Sequence, residues 1–418
     1  MAFDLVETLC ELVAIPSVNP MGRPASGPPF FEAQVTEYLE QLLRRLGLHT
    51  QRQTVAPGRD NLVGRLDGDV PPEKGGRLLL FDAHQDTVPA DNMTIEPWTP
   101  TVREGRVYGR GACDTKGGMA AMLATVARLA AERPKGMPTI LMACTVDEEY
   151  HLAGAPALVR QAFPVRQAFQ PDPSHRGADP QPVSLERLTY GRAPDAAVIA
   201  EPTGLDAIVA HKGVVRWHCH AVGRAAHSSK PDAGHNAIYK MARVVAAVER
   251  YEQDALRRWP SHPLCGPHTL NVGTIHGGSS INIVPDRCDI EIELRLPPGA
   301  TPELARQRLI EYLAAETQLD PSAHDPPYMQ APPLSDETNG PLSERLCSVV
   351  AEVAGRCQRR GVPYATDAAF YSGAGIPAVV FGPGSIEQAH TEEEWLPLDQ
   401  LEQAAEILYR FVKASGRS

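Results

Sequence analysis

No run of about 18 consecutive apolar residues occurs anywhere in the chain, so no segment can satisfy a bilayer span. Positive charge is not in excess: 40 Lys and Arg against 51 Asp and Glu leave a formal net charge of −11. That balance argues against a nucleic-acid partner, because a phosphate-backbone binder concentrates Lys and Arg on one face. CxxC pairs are missing too. The eight cysteines, Cys10, Cys113, Cys144, Cys219, Cys265, Cys288, Cys347 and Cys357, are scattered along the chain, and read as reduced thiols packing as small apolar groups. The first residues, MAFDLVETLCELVAIPSVNP, lack a basic segment followed by a continuous apolar one and read as an amphipathic helix. The expectation is a cytoplasmic protein with neither membrane nor nucleic acid as partner.

What is present suits an enzyme of two domains. The 418 residues exceed one ordinary domain, and 43% hydrophobic with 22% charged residues are ordinary globular values. Apolar, β-rich runs at Arg77 to Ala83, Pro138 to Thr145, Ala196 to Ala200 and Pro377 to Phe381 alternate with helical periodicities at Phe31 to Leu46 and Gly118 to Ala131. That pattern predicts an α/β domain, a parallel sheet covered by helices on both faces. The segment 165–192 is rich in Pro, Asp, Gln and Arg without periodicity and reads as a surface insertion.

The middle of the chain has a different rhythm. Gly213 to His220, Thr269 to Ile275 and Cys288 to Leu296 alternate apolar and polar with period two, as half-buried antiparallel strands do. Helical patterns at His235 to Leu256 and Pro302 to Glu316 complete an α+β unit, and a proline cluster at Asp325 to Pro333 reads as the return linker. The expected division is 1–211 and 326–418 for the α/β domain, with 212–325 inserted. No internal repeat is present.

Chemistry-bearing residues gather just past the apolar runs, where ligand sites of such sheets sit. FDAHQDTVP ends a strand in His84, with Asp86 two residues on and leaving the same edge. An imidazole there can bind a metal while a carboxylate accepts its other N–H, although a lone strand-end histidine is more often structural. GRGACDTKGG puts Asp114 in a glycine-rich turn before a helix, where it either meets cations or caps the helix. A phosphate loop is excluded, because Lys116 is followed by Gly117 and not by Ser or Thr. TILMACTVDEEY carries a buried strand into Asp147, Glu148 and Glu149, adjacent carboxylates that call for a cationic partner unless they form a solvated acidic cluster. AAVIAEPTG ends in Glu201, and GPGSIEQAH follows a further strand with His390. Imidazole and carboxylate without thiolate suit Zn²⁺ or Co²⁺ in an open, catalytic site.

AHQDTVP, GRGACDTKGG, TVDEE, IAEPTG, GRAAHSSKPDAGHNAI and GPGSIEQAH occur in order over nearly the whole chain and together resemble the landmarks of the M20 metallopeptidase and deacylase family. The resemblance implies a three-layer α/β/α catalytic domain of the di-zinc exopeptidase kind, with an inserted ferredoxin-like lid that dimerises. It implies two Zn²⁺ ions per subunit, or Co²⁺. Asp114 bridges them, His84 and Glu201 complete one site, and Glu149 and His390 complete the other. Glu148 is then the base, Asp86 the partner of His84, and His227 a histidine that crosses the dimer to hold the oxyanion. Asn282, Arg295 and Gly373 match positions that bind substrate. GPGSIEQAHTEEEW most resembles the acetylornithine deacetylase branch, which implies removal of an acetyl or succinyl group from an amino acid. Desuccinylase, general aminoacylase and carboxypeptidase or dipeptidase activities are the alternatives. A non-catalytic metal-binding module is the remote one.

Overall fold

Asp4 accepts a hydrogen bond from the Glu7 N–H (2.9 Å) and so starts the first helix, Leu5–Ala14. In the computed structural model, which describes residues 3–163, 189 and 191–416, that helix packs in the core of an α/β unit. The surface insertion expected at 165–192 falls mostly outside the described residues. By its internal contacts the chain divides into a first unit, Met1–Val209 with Asp336–Arg360 and Thr366–Ser418, and a second, Ala210–Ser335 with Gly361–Ala365.

The first unit is built on an eight-stranded sheet. Its order is His49–Ala56, Arg59–Leu66, Thr139–Thr145, Leu78–His84, Ala196–Ile199, Ala378–Val380, Ala207–His211, Arg359–Val362. The four strands from Thr139–Thr145 to Ala378–Val380 are parallel, and every residue of them is buried. Strands covered on both faces read as continuous apolar runs, which is why LLLFDAH and TILMACT show no alternation. The sheet as a whole is mixed, not parallel as expected. Arg59–Leu66 runs antiparallel to both His49–Ala56 and Thr139–Thr145, in a hairpin turned at Pro57 and Gly58, where Gly58 takes φ +76°. Helices Ala33–Arg45, Gly117–Glu132, Gly340–Ala354 and Leu398–Ser415 contribute to the main core.

The second unit is a four-stranded antiparallel sheet in the order Thr269–Gly277, Arg287–Leu296, Gly213–Val222, Met329–Ala331. Its chain order of strand, helix, two strands, helix, strand is the ferredoxin-like arrangement. Arg287–Leu296 alternates buried and half-buried residues along its length. Ile290, Ile292 and Leu294 pack with Trp217, Val244 of helix Ala237–Asp254 and Leu309 of helix Pro302–Thr317. The proline-rich segment after Asp325 supplies the fourth strand.

One expectation about sulfur is overturned. Cys347 and Cys357 form a disulfide, with Cα atoms 5.2 Å apart. Helix Gly340–Ala354 stops at Gly355, whose φ of +80° turns the chain back and brings Cys357 alongside Cys347. The other six cysteines are free thiols, five of them buried, and behave as small core residues.

Candidate metal centre

Parallel strands end at a common edge, and the turns leaving that edge carry the candidate ligands. His84 closes its strand, while Glu148 and Glu149 follow Thr139–Thr145. Glu201 follows Ala196–Ile199, and His390 lies in the loop after Ala378–Val380. Asp114 sits in the turn before helix Gly117–Glu132. Asp147 and His390 hold left-handed backbone at φ 61° and 63°, which is costly for side chains with a Cβ and is found where surrounding structure imposes it.

The two oxygens of Asp114 face different partners. Oδ1 lies 3.1 Å from His84 Nε2, which is itself 3.9 Å from Glu201 Oε1. Oδ2 lies 3.3 Å from His390 Nε2, which is 3.2 Å from Glu149 Oε2. Ligand atoms at about 2.0–2.2 Å from a tetrahedral zinc are about 3.3 Å apart, so these spacings suit two cations sharing one carboxylate. Donor atoms of His84, Glu148 and Glu201 also lie within 4.8 Å of one another, as do those of His84, Asp114 and Glu149. Glu149 Oε1 is buried without a hydrogen-bond partner, a cost that a cation would remove. On these observations the donor set fits a pair of divalent metals.

Charge around the cluster is unbalanced. Burial and the neighbouring Glu201 push the Glu148 carboxyl well above the ordinary range, and burial with Asp114 does the same to Glu201. Burial alone would raise Asp114, but hydrogen bonds from His390 and His84 hold it below its usual value. Burial opposes charge on His84 and His390, yet Asp114 raises both, His390 to about 11 with help from Glu149. Without a cation the carboxylates favour protons on the two imidazoles, and metal binding would displace those protons.

His84 is held differently from the expectation. Its Nδ1 meets the backbone carbonyl of Asp86 at 2.9 Å, while the Asp86 carboxylate is 3.7 Å away, beyond a hydrogen bond. That carboxylate instead accepts from Asn19 Nδ2 (2.8 Å) and from the backbone N–H groups of Glu148 (3.1 Å) and Glu149 (3.2 Å). It pins the acidic turn. Sequence reading also missed the buried Glu32–Arg59 pair, which holds Asp147 through Arg59 Nη1 (2.8 Å) and through the Asp147 N–H (3.2 Å). Asp367, whose buried Oδ1 has no hydrogen-bond partner, shares the Thr145 hydroxyl with Asp82 and raises the Glu148 carboxyl further.

Four expected residues lie outside this cluster. Gly373 is exposed at the C-terminal end of the short helix Ala368–Gly373, whose N-cap is Asp367. The others belong to the second unit. His227 is exposed, pairs in register with Ile283 and accepts the Ser229 N–H at 3.2 Å on Nδ1. Asn282 is its neighbour, with its carbonyl accepting from Ser228 N–H at 3.0 Å. Arg295 is paired with Glu293 at 3.0 Å.

Carboxylates and imidazoles at the edge of a mixed α/β sheet, with an α+β insertion in the chain, are features of a metal-dependent enzyme, and the family match places it among hydrolases of amide bonds. The chain belongs to peptidase family M20/M25/M40, whose pattern matches residues 80–414. It is 30% identical over 410 residues to the acetylornithine deacetylase of Myxococcus xanthus, covering 97% of this chain and 96% of that one. The fold is similar to the M20 family metallo-carboxypeptidase Sso-CP2 of Sulfolobus solfataricus, with TM-score 0.76, 16% identity and 99% of each chain covered. It is also similar to a dinuclear metal-binding M20 peptidase of Bacillus subtilis, with TM-score 0.63, 14% identity and 98% and 97% covered. Among the described residues no helix is long and apolar enough to cross a membrane.

Proposed function

We propose that the chain is a two-zinc amidohydrolase that removes an acetyl or succinyl group from an amino acid, acting as its acetylornithine deacetylase relatives are named for. The observation that carries the metal reading is Asp114, whose two oxygens address two separate His and carboxylate pairs. Identity of 30% and 29% to two acetylornithine deacetylases, over 97% and 98% of the chain, supports the substrate class. Zn²⁺ or Co²⁺ suits the nitrogen and oxygen donors, with His84 and Glu201 on one side of Asp114 and Glu149 and His390 on the other.

Cations held there acidify water and polarise an amide carbonyl. Glu148 takes the proton of the attacking water and returns it to the leaving amine. Burial raises the proton affinity of its carboxyl, the direction that suits a group which takes up a proton and gives it back. Asp86, through the backbone N–H groups of Glu148 and Glu149, keeps base and ligand apart although they are adjacent in sequence. The second unit is a dimerisation module in this reading, its His227 serves the reaction of a second copy, and Asn282, Arg295 and Gly373 bind the substrate. The apolar side chains of Ile281 and Ile283, 99% and 41% exposed beside His227 and Asn282, support a protein-facing patch.

The test is a panel of N-acetyl, N-succinyl and other N-acyl amino acids and dipeptides, assayed by free-amine release with Zn²⁺ or Co²⁺ added. N-acetyl or N-succinyl substrates should turn over best, and Glu148→Gln should keep its metals while losing about 10² to 10⁴ in kcat. Fast cleavage of dipeptides alone would reject the deacylase reading, and an active Glu148→Gln enzyme would reject the base.

A further inference from the structure

Three consecutive glutamates, Glu392, Glu393 and Glu394, follow the candidate ligand His390. The first two are exposed, as a solvated acidic run should be, but Glu394 is fully buried. Four donors converge on it. Oε1 accepts the backbone N–H groups of Cys113 (2.9 Å) and Asp114 (3.0 Å). Oε2 accepts the Gly111 N–H (3.0 Å) and Arg110 Nη1 (2.7 Å). The Glu394 backbone carbonyl takes a fifth bond from the Gly109 N–H at 3.0 Å. One side chain thereby fastens the loop that carries His390 onto the turn that carries Asp114.

We infer that Glu394 is a positioning residue of the metal centre: it fixes the separation of Asp114 and His390 before any cation arrives. The inference rests on the reading of those two residues as ligands. Its physical content is that a carboxylate is the only side chain that accepts on both oxygens from four donors at once. An amide of the same shape turns two of those contacts into donor against donor. Helix capping alone does not account for the arrangement: the Gly111, Cys113 and Asp114 amides open the short helical turn Ala112–Lys116, but that turn is broken by non-helical backbone at Asp114 and Thr115, the fourth donor is the Arg110 side chain, and helix Gly117–Glu132 has no side-chain cap. Groups that orient metal ligands govern affinity without touching the metal, and their loss costs about 10- to 100-fold.

The experiment titrates metal-free protein with Co²⁺, reading affinity by calorimetry and ligand geometry by the visible absorption of the bound cobalt. Wild type, Glu394→Gln and the uncharged pair Arg110→Gln/Glu394→Gln are compared, the pair avoiding an unpaired guanidinium in the interior. Wild type should bind two Co²⁺. Both variants should bind about tenfold or more weakly, with an absorption spectrum that differs from wild type even at saturating cobalt. A residue that merely stabilises the fold would lower the melting temperature and leave the saturated spectrum alone. Wild-type affinity and spectrum in either folded variant overturn the inference, whereas a wild type that binds no Co²⁺ removes the metal reading itself. Should neither variant fold, amide exchange in the wild type decides: the Gly111, Cys113 and Asp114 amides should be protected without metal, and rapid exchange until Co²⁺ is added overturns the proposal.

Discussion

The two units of this chain treat charge in opposite ways. In the second, charged side chains stand on the half-exposed face of an antiparallel sheet and neutralise one another. Glu293 meets Arg216 at 2.7 Å and Arg295 at 3.0 Å, and His220 lies between Asp289 (2.6 Å) and Asp325 (2.7 Å). In the first, Asp114, Glu148, Glu149 and Glu201 crowd the end of the four fully buried parallel strands with two histidines among them. Burying several carboxylates together is costly unless a cation repays it. The second unit therefore reads as a self-sufficient scaffold, and the first as a scaffold built around ions.

The largest expected effect breaks that contrast at its centre. Asp114→Ala removes the carboxylate that faces both His84 and His390, so on the proposed two-metal reading metal analysis after dialysis should find neither site retained, and amide hydrolysis should fall to background. Retention of both metals in a folded variant would show that Asp114 does not bridge.

A smaller effect comes from the other unit. Ile281, Tyr239 and Val222 of the second unit are 99%, 68% and 65% exposed, apolar side chains available to the proposed dimer contact. In the proposed dimer, Ile281→Asp should shift the chain towards monomer in sedimentation and lower turnover, while metal content stays at the wild-type level. An unchanged sedimentation coefficient would detach the His227 patch from assembly.

Legibility in the sequence followed the same division. In the second unit, period-two alternation marked the strands Gly213–Val222, Thr269–Gly277 and Arg287–Leu296 to within two residues at each end, because one face is buried, or half-buried in Thr269–Gly277, and the other is wetter. In the first unit, uninterrupted apolar runs marked the parallel strands. The hairpin His49–Leu66 escaped notice, although Pro57–Gly58 between two β-rich stretches was an available signal. Of the candidate site, His84, Asp114, Glu149, Glu201 and His390 were legible because each follows a strand or a glycine turn. Their supports were not. Glu394 looks like its exposed neighbours, and Glu32 and Arg59 are 27 residues apart with no spacing pattern to join them. The Cys347–Cys357 bridge depends on a helix end at Gly355 that periodicity alone does not locate.

The smallest effect tests whether the second unit's charges are as self-contained as they look. Burial would depress His220, but hydrogen bonds to Asp325 and Asp289 win and raise its pKa, despite Arg287 Nη2 lying 3.0 Å from Nδ1. A folded value above the unfolded one means that the imidazolium stabilises the fold at low pH. That contribution is complete below the ordinary histidine value of about 6.5 and is lost as pH rises through the elevated folded value. His220→Asn should therefore cost about 1 kcal/mol at pH 5.5 and progressively less in alkaline buffer, measured by urea unfolding followed through tryptophan fluorescence. A cost that is equal at both pH values would mean that His220 acts by packing, so that the second unit, like the first, relies on more than paired charge to hold its polar groups.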